Sequence, residues 1–344
     1  MSLKRSISTL LALFIATAFA RAADKVSVGT VGNNSDAGFF IAADQGYFTA
    51  EGLDVALTPF DGAQRMMAPL GQGELDVGGG TATASLYNSA SRGIGIRIVA
   101  DRSRMEAGYM FQTLMVRKAV IDSGRFKGYA DLKGIKFALV APGGSPGSAL
   151  NEAARKGGVP YDSIDKVFLP FPAQASAFAN GAIDASLMIE PFATYLVEQG
   201  IAVRFASSED FYPGNQIGLV FFSEKFIKER RAVGERFMRA YVRALRDYND
   251  AVVDGRFSNG TMGKTVVAIL ARNLNLKEEQ IRASYVAAIS PDGRPNVDSL
   301  RKDLQFFLAQ GDVTDAKVDL DKILELSLVD KAVKELGPYQ PKRD

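Results

Sequence analysis

Short apolar runs alternate with amphipathic stretches through the first two-thirds of the chain, and long amphipathic stretches take over after Glu224. Residues 26–31 alternate as a strand does and stop at Gly32-Asn33-Asn34-Ser35-Asp36, a turn rich in helix N-cap residues. Residues 37–44 carry Phe39, Phe40 and Ile41 on a helix-like face closed by Gly46. Residues 53–57 read as a second strand, 63–70 as a short helix and 75–77 as a third strand. The run Gly78-Gly79-Gly80-Thr81 is expected to open a helix ending near Gly93, before a fourth strand at 96–100. Strands alternating with helices form parallel βαβ units with right-handed crossovers.

The second half repeats this order. Residues 137–140 read as a strand, Pro142 to Gly147 as a glycine-rich loop, and a helix runs on to Lys156. Further strands are expected at 167–169, 183–189 and 202–205, with helices at 174–180 and from Pro191 to Gly200. Gly181-Ala182-Ile183-Asp184-Ala185 echoes Gly73-Glu74-Leu75-Asp76-Val77, and Val26 to Asp76 spans the same 50 positions as Ile135 to Ala185. One α/β module laid down twice is the simplest reading. Two crossings, at 101–112 and 207–216, join the halves, and residues 216–222 return the chain to the first. The expected architecture is two doubly wound α/β lobes (24–104 plus 214–344, and 105–213) on a two-segment hinge, with a helical C-terminal extension. In that extension Val233, Phe237, Tyr241, Leu245 and Tyr248 form an apolar stripe. Its arginines, Arg230, Arg231, Arg236, Arg239, Arg243 and Arg246, read as a solvated face paired with Glu and Asp.

Composition narrows the compartment and the chemistry. Lys4 and Arg5, the apolar residues 7–19 and Ala18-Phe19-Ala20 read as a cleaved Sec-type export signal over residues 1–20. Ala20-Arg21-Ala22 is an alternative cleavage site. The apolar run is shorter than the ~20 residues of a spanning helix. Losing Lys4 and Arg5 takes the formal charge from +2 to 0, which speaks against a nucleic-acid binder. Cysteine is absent, so no disulfides or lipid-modified cysteine support the fold; a periplasmic protein stable on its core fits. Without Cys or His, transition-metal binding and Cys- or His-based catalysis lack their atoms.

The pattern Ala42-x-x-x-Gly46-Tyr47-Phe48-x-x-Glu51-Gly52-Leu53-Asp54-Val55, then Gly73-x-Leu75-Asp76-Val77-Gly78, then Arg92-Gly93 before residues 96–100, resembles the nitrate/sulfonate/taurine class of ABC-transporter substrate-binding proteins. That class is similar to the thiamine-pyrimidine-precursor synthase superfamily. Asp131-Leu132-Lys133-Gly134 and Glu190-Pro191-Phe192 extend the likeness, which covers roughly residues 25–225. The resemblance implies a type II periplasmic-binding-protein fold, a small bound solute, and a permease with its ATPase as partners. A monomer without cofactor or metal is expected.

Ligands in such sheets sit where strands end and helices begin. In the first lobe this singles out Asn33, Asn34 and Ser35, then Gly80, Thr81 and Thr83, where glycines let backbone approach and helix-start N–H groups attract an oxyanion. Capping and tight packing are the bland alternatives. In the second lobe Gly144 and Ser145 repeat the design, followed by Phe171, Gln174 and Glu190. Glu190 could equally serve the helix that Pro191 opens. Arg102, at the first crossing, could grip a carboxylate or sulfonate, or pair with Asp101 or Glu106. The expectation is a solute-binding protein that closes on a small organic anion or polar aromatic compound. A ligand-sensing accessory protein for a signalling receptor is the alternative. An enzyme on the same fold is the other, although no catalytic spacing supports it.

Overall fold

In the computed structural model, which describes residues 22–342, the apolar runs sort into two five-stranded sheets. The export-signal reading of residues 1–20 lies outside the described residues. The first lobe begins with β1 (Asp24–Thr30), α1 (Ala37–Asp44), α2 (Tyr47–Ala50), β2 (Leu53–Pro59), α3 (Ala63–Gln72), β3 (Val77–Gly80), α4 (Ala84–Ser91) and β4 (Ile96–Arg104). The chain then crosses into β5 (Gln112–Arg117), α5 (Lys118–Asp122), β6 (Lys136–Leu139), α6 (Ser145–Lys156), β7 (Asp165–Phe168), α7 (Phe171–Asn180), β8 (Ala185–Ile189), α8 (Phe192–Glu198) and β9 (Ala202–Ser207). It returns through β10 (Gln216–Ser223) to α9 (Glu224–Ala251), β11 (Val252–Val253), β12 (Arg256–Phe257), α10 (Thr261–Leu274), α11 (Glu278–Ala283), α12 (Val297–Ala309) and α13 (Ser327–Leu336). No helix among the described residues is long and apolar enough to cross a membrane.

The strand orders, β2-β1-β3-β10-β4 and β7-β6-β8-β5-β9, are the same order written twice. In each sheet the fourth position is an antiparallel strand delivered by a crossing: β10 in the first, β5 in the second. Strand β5 was not expected: it begins at Gln112, where the first crossing was expected to end, and no element was read between there and the strand at 137–140. The glycine run also differs from expectation. Gly78 to Gly80 belong to β3 rather than to a helix start, and α4 opens only at Ala84 behind the N-cap Thr83. A strand without side chains lets its neighbours lie flat on it, and those neighbours prove decisive at the site below.

The echoed phrases have one physical job. Gly73 and Gly181 end α3 and α7 with φ of 71° and 77°, which positions the aspartate three residues later. Asp76 Oδ2 accepts the backbone N–H of Ser27 at 3.0 Å, and Asp184 Oδ2 accepts that of Lys136 at 3.2 Å. Each carboxylate thus clips the first parallel strand of its own lobe. Arg230 reaches Asp76 at 3.2 Å, and Arg117 and Arg125 reach Asp184 at 3.0 and 3.1 Å. Burial pushes the Asp184 carboxyl up, but the bonds from Arg117 and the Lys136 N–H and the Arg125 charge outweigh it, leaving it below the usual range. A lowered carboxyl stabilises the fold fully above its unfolded value near 4, and that contribution is lost as pH falls through the folded value. Asp184→Ala is therefore expected to lower stability by about 1–3 kcal/mol at pH 7, with a smaller gap near pH 3, in urea unfolding at the two pH values.

The stripe on α9 is buried as expected: Phe237 stacks on Phe48 at 4.8 Å between ring centres, and Tyr241 lies 5.1 Å from Phe39. Its arginine face is paired but not simply solvated. Arg236 reaches Asp24 and Arg239 reaches Glu51, both at 2.5 Å, while Arg243 lies over the Tyr47 ring. The helix is clamped onto the phrase that carries the family resemblance. Further on, α12 touches both lobes. Leu300 and Phe307 pack with Ile96 and Leu219, whereas Lys302 pairs with Glu152 of α6 at 2.7 Å.

Candidate functional site

The strand ends of the first lobe are organised by Asp36, which the sequence reading passed over. After β1 the chain turns at Gly32, and Asp36 Oδ2 accepts the N–H groups of Val31, Gly32 and Asn33 at 3.0, 2.8 and 3.3 Å. Asn33 caps the same turn, its Oδ1 accepting the Ser35 N–H at 2.9 Å. The other oxygen of Asp36 takes Nη1 of Arg102 at 2.6 Å, with both side chains buried. Arg102 reaches it by lying across β10 and β3, and glycines keep that path clear. A Cβ on Gly79 would stand 3.0 Å from Arg102 Cδ and 2.7 Å from the Phe39 ring, and one on Gly218 would stand 3.0 Å from Arg102 Nε. Of the partners weighed for Arg102, Glu106 pairs with Arg104 instead, and Asp101 accepts from Gln216 and the Ser290 N–H. Asn34 is different. It is 1% exposed, and neither atom of its amide has a hydrogen-bond partner.

Thr83 and Gly144, one from each lobe, meet in an antiparallel bridge, and the Ala84 N–H donates to the Gly143 carbonyl at 2.8 Å. The loops after β3 and β6 touch directly, through Thr83 and Ala84 and not through Gly80 and Thr81. Thr83 also caps α4 by accepting the Leu86 N–H. Gly80 is buried at the end of β3 and Thr81 is half-buried just beyond it. In the second lobe Ser145 Oγ points to the Gln216 carbonyl at 3.5 Å. Gln174 is consumed by the fold: its Nε2 donates to the Leu169 carbonyl at 2.7 Å and its Oε1 accepts from Ser186. Glu190 is fully buried, accepts the Thr194 N–H at 3.1 Å, and pairs with Arg204 at 2.7 Å. Burial pushes its carboxyl up, and Arg204 and Thr194 offset this only in part. Phe171 stays half-buried, stacked on Phe192 at 6.1 Å.

Two mirrored sheets on a double crossing, with their loop ends in contact, can be compared with known proteins. A profile of the NMT1-like family matches residues 20–252, more than half of the chain. The chain belongs to the NMT1-like family. A Brucella abortus protein described as a binding protein is 28% identical over 214 residues, 61% of this chain and 62% of that relative, so the likeness spans less than two-thirds of it. Among solved structures, the alkanesulfonate-binding protein SsuA of Xanthomonas axonopodis pv. citri, bound to MOPS, superposes with TM-score 0.68 at 18% identity, covering 89% of this chain and 100% of that one. The periplasmic nitrate-binding protein NrtA of Synechocystis PCC 6803 gives 0.72 at 14% identity, covering 93% and 92%. The desulfurization enzyme DSZB shares the fold too, at 0.62 and 16% identity, covering 91% and 100%. The type II periplasmic-binding-protein fold follows.

Within this NMT1-like fold the two crossings are bonded to each other, the Met105 N–H donating to the Asn215 carbonyl at 2.9 Å. Gln112, opposite Ile189 at the end of β8, and Asn215 bring further buried amide atoms without partners to the same region. An open cavity of about 710 Å³ lies beside Pro191 and Phe192, is lined by α7 and α8, and is flanked by Leu276 and Ser284 from the C-terminal half. Asp303 of α12 was invisible to sequence reasoning. Tyr212 donates to it at 2.7 Å, and the Ser145 and Ser148 hydroxyls of α6 lie beside it. Asp36 carried a signal, since it stands three residues after Asn33 in a capping box; Arg204 and Asp303, on remote elements, carried none.

Proposed function

We propose that this NMT1-like protein is the solute-capturing component of an ABC import system, closing two lobes over a small polar organic molecule in the periplasm and presenting it to a membrane permease. The observation that carries the reading is Asn34: a buried amide with both atoms unpartnered, at a strand end of one of two mirrored sheets whose loop ends meet. Buried polar groups are almost always satisfied, so such an amide points to a ligand that completes it. Closure would pivot about residues 105–111 and 208–215 and complete contacts from both lobes. Phe171 and Thr81, half-exposed at neighbouring strand ends, are the flanking contacts. The chemistry of a cysteine or histidine enzyme on this fold has no residue to run on here.

A thermal-shift screen against sulfonates, carboxylates, nitrate, amines and pyrimidines tests the reading, because binding to the native state raises Tm by mass action. At least one class is expected to raise it. Silence across all five would overturn solute capture. With a solute so found, Asn34→Ala is expected to weaken binding about tenfold by titration calorimetry, the equivalent of one or two hydrogen bonds.

A further inference from the structure

We infer that the junction between the second lobe and the C-terminal half holds a second binding site, for a small free oxyanion, built from Arg204 and Arg256 around the ring of Tyr285. It shares no residue with the Asn34 turn and does not depend on the solute-capture reading above.

Three elements remote in sequence bring the two cations together. Arg204 stands on β9, the edge strand of the second sheet, and Arg256 on β12, in the short hairpin after α9. Tyr285, just beyond α11, receives both of them. Cζ of Arg256 lies 3.7 Å from its ring centre and Cζ of Arg204 lies 5.2 Å from it. A hydroxyl and a carbonyl tie the same groups together across the junction. Arg204 Nη2 donates to Thr194 Oγ1 at 2.6 Å, and Thr194 Oγ1 donates to the Ala283 carbonyl at 3.5 Å. Arg256 Nη1 donates to that same carbonyl at 3.0 Å.

The charge of this cluster does not balance. Glu190 pairs with Arg204 at 2.7 Å, but Arg256 has no acidic partner among the described residues. Arg204 Nη1 is buried, and its N–H groups meet no acceptor among the described residues. A guanidinium does not lose its proton in a protein, so burial cannot relieve the excess by neutralising it. An oxyanion supplies both missing things, acceptors for forked N–H groups and a negative charge between two positive ones. Access comes from the open cavity beside α8, whose lining includes Thr194 and Ser284, the immediate neighbours of the cluster. Arg204 belongs to the second lobe, whereas Arg256 and Tyr285 belong to the C-terminal half. An ion held by both therefore ties the two together on this flank.

Sulfate is the probe, added to the purified protein without solute at fixed ionic strength, with chloride making up the balance. The Tm is expected to rise with sulfate and to saturate, as binding to one site requires. Arg256→Gln strands no carboxylate, and it is expected to weaken the apparent sulfate affinity at least about tenfold. Arg204→Lys keeps a charge for Glu190 while removing Nη1, and it is expected to show the same loss. General stabilisation by excluded sulfate rises in wild type and variants alike. Equal sulfate responses in wild type and either variant would overturn the site. Competition between sulfate and a solute found in the thermal screen would overturn its separateness, because the arginines would then belong to the solute. With no solute present in the first titration, failure there strikes this site alone and leaves solute capture standing.

Discussion

Asp36→Ala is expected to destabilise the protein by about 3–5 kcal/mol, the range for stranding one partner of a buried ion pair. Arg102 would be left 2% exposed without a counter-charge, and the N–H groups of Val31, Gly32 and Asn33 would lose their common acceptor. The guanidinium cannot swing to another acid cheaply, because it lies in a channel walled by the backbone of Gly79 and Gly218. The exposed pair Lys118–Asp122, at 2.9 Å, is the control: Asp122→Ala should cost less than about 1 kcal/mol. Urea unfolding of both variants by circular dichroism gives the comparison. Equal losses would show that Asp36 is not the organising acid of this lobe.

The same residues show what could and could not be read ahead of the structure. The echoed Gly-x-x-Asp phrases were legible because a glycine ending a helix and an aspartate at the next strand leave a local signature. The α9 stripe was legible because its period is helical. The strand β5 was missed because it follows directly on a crossing and pairs only with strands formed much later, around residues 185 and 202. The glycine run was misassigned because a strand of glycines has no hydrophobic pattern to read. Its purpose appears only once Arg102 is seen lying across it. At the candidate site, the positions were read from topology, but their occupancy was not. Arg102 meets an acid 66 residues away, and α6 meets an aspartate on α12, pairings no local pattern encodes.

Asp303→Asn is expected to change how stability varies with pH. The aspartate is completely buried, and burial pushes its carboxyl up to about 7 against the opposing pull of the Ser148, Tyr212 and Ser145 hydroxyls and the Lys302 charge. A group raised in the folded state contributes stability that is full below its unfolded value near 4 and is lost as pH rises through the folded value. The wild type therefore loses stability across the window from about 4 to about 7, on the order of 1 kcal/mol per pH unit. Asparagine keeps an oxygen for Tyr212 and cannot ionise. The Tm of the variant minus that of the wild type should rise from pH 4 to about 7 and then level off. Asp101, pushed up to about 6 by burial, slopes the same way but is present in both proteins and cancels. Parallel Tm curves from pH 4 to 8 would show that Asp303 does not titrate in that window.

The position of β10 sets a timetable. It lies between β3 and β4, so the middle of the first sheet is missing until residues 216–223 have been made, and Phe39 and Phe48 wait longer still for Phe237 and Tyr241. The second sheet, by contrast, draws only on the continuous stretch from Gln112 to Ser207. The lobe that emerges first from the ribosome is thus the last to close. Until β10 and α9 have been made, β4 has no strand to bridge it to β3, and the rings of Phe39 and Phe48 lack the aromatic partners they meet in the finished fold.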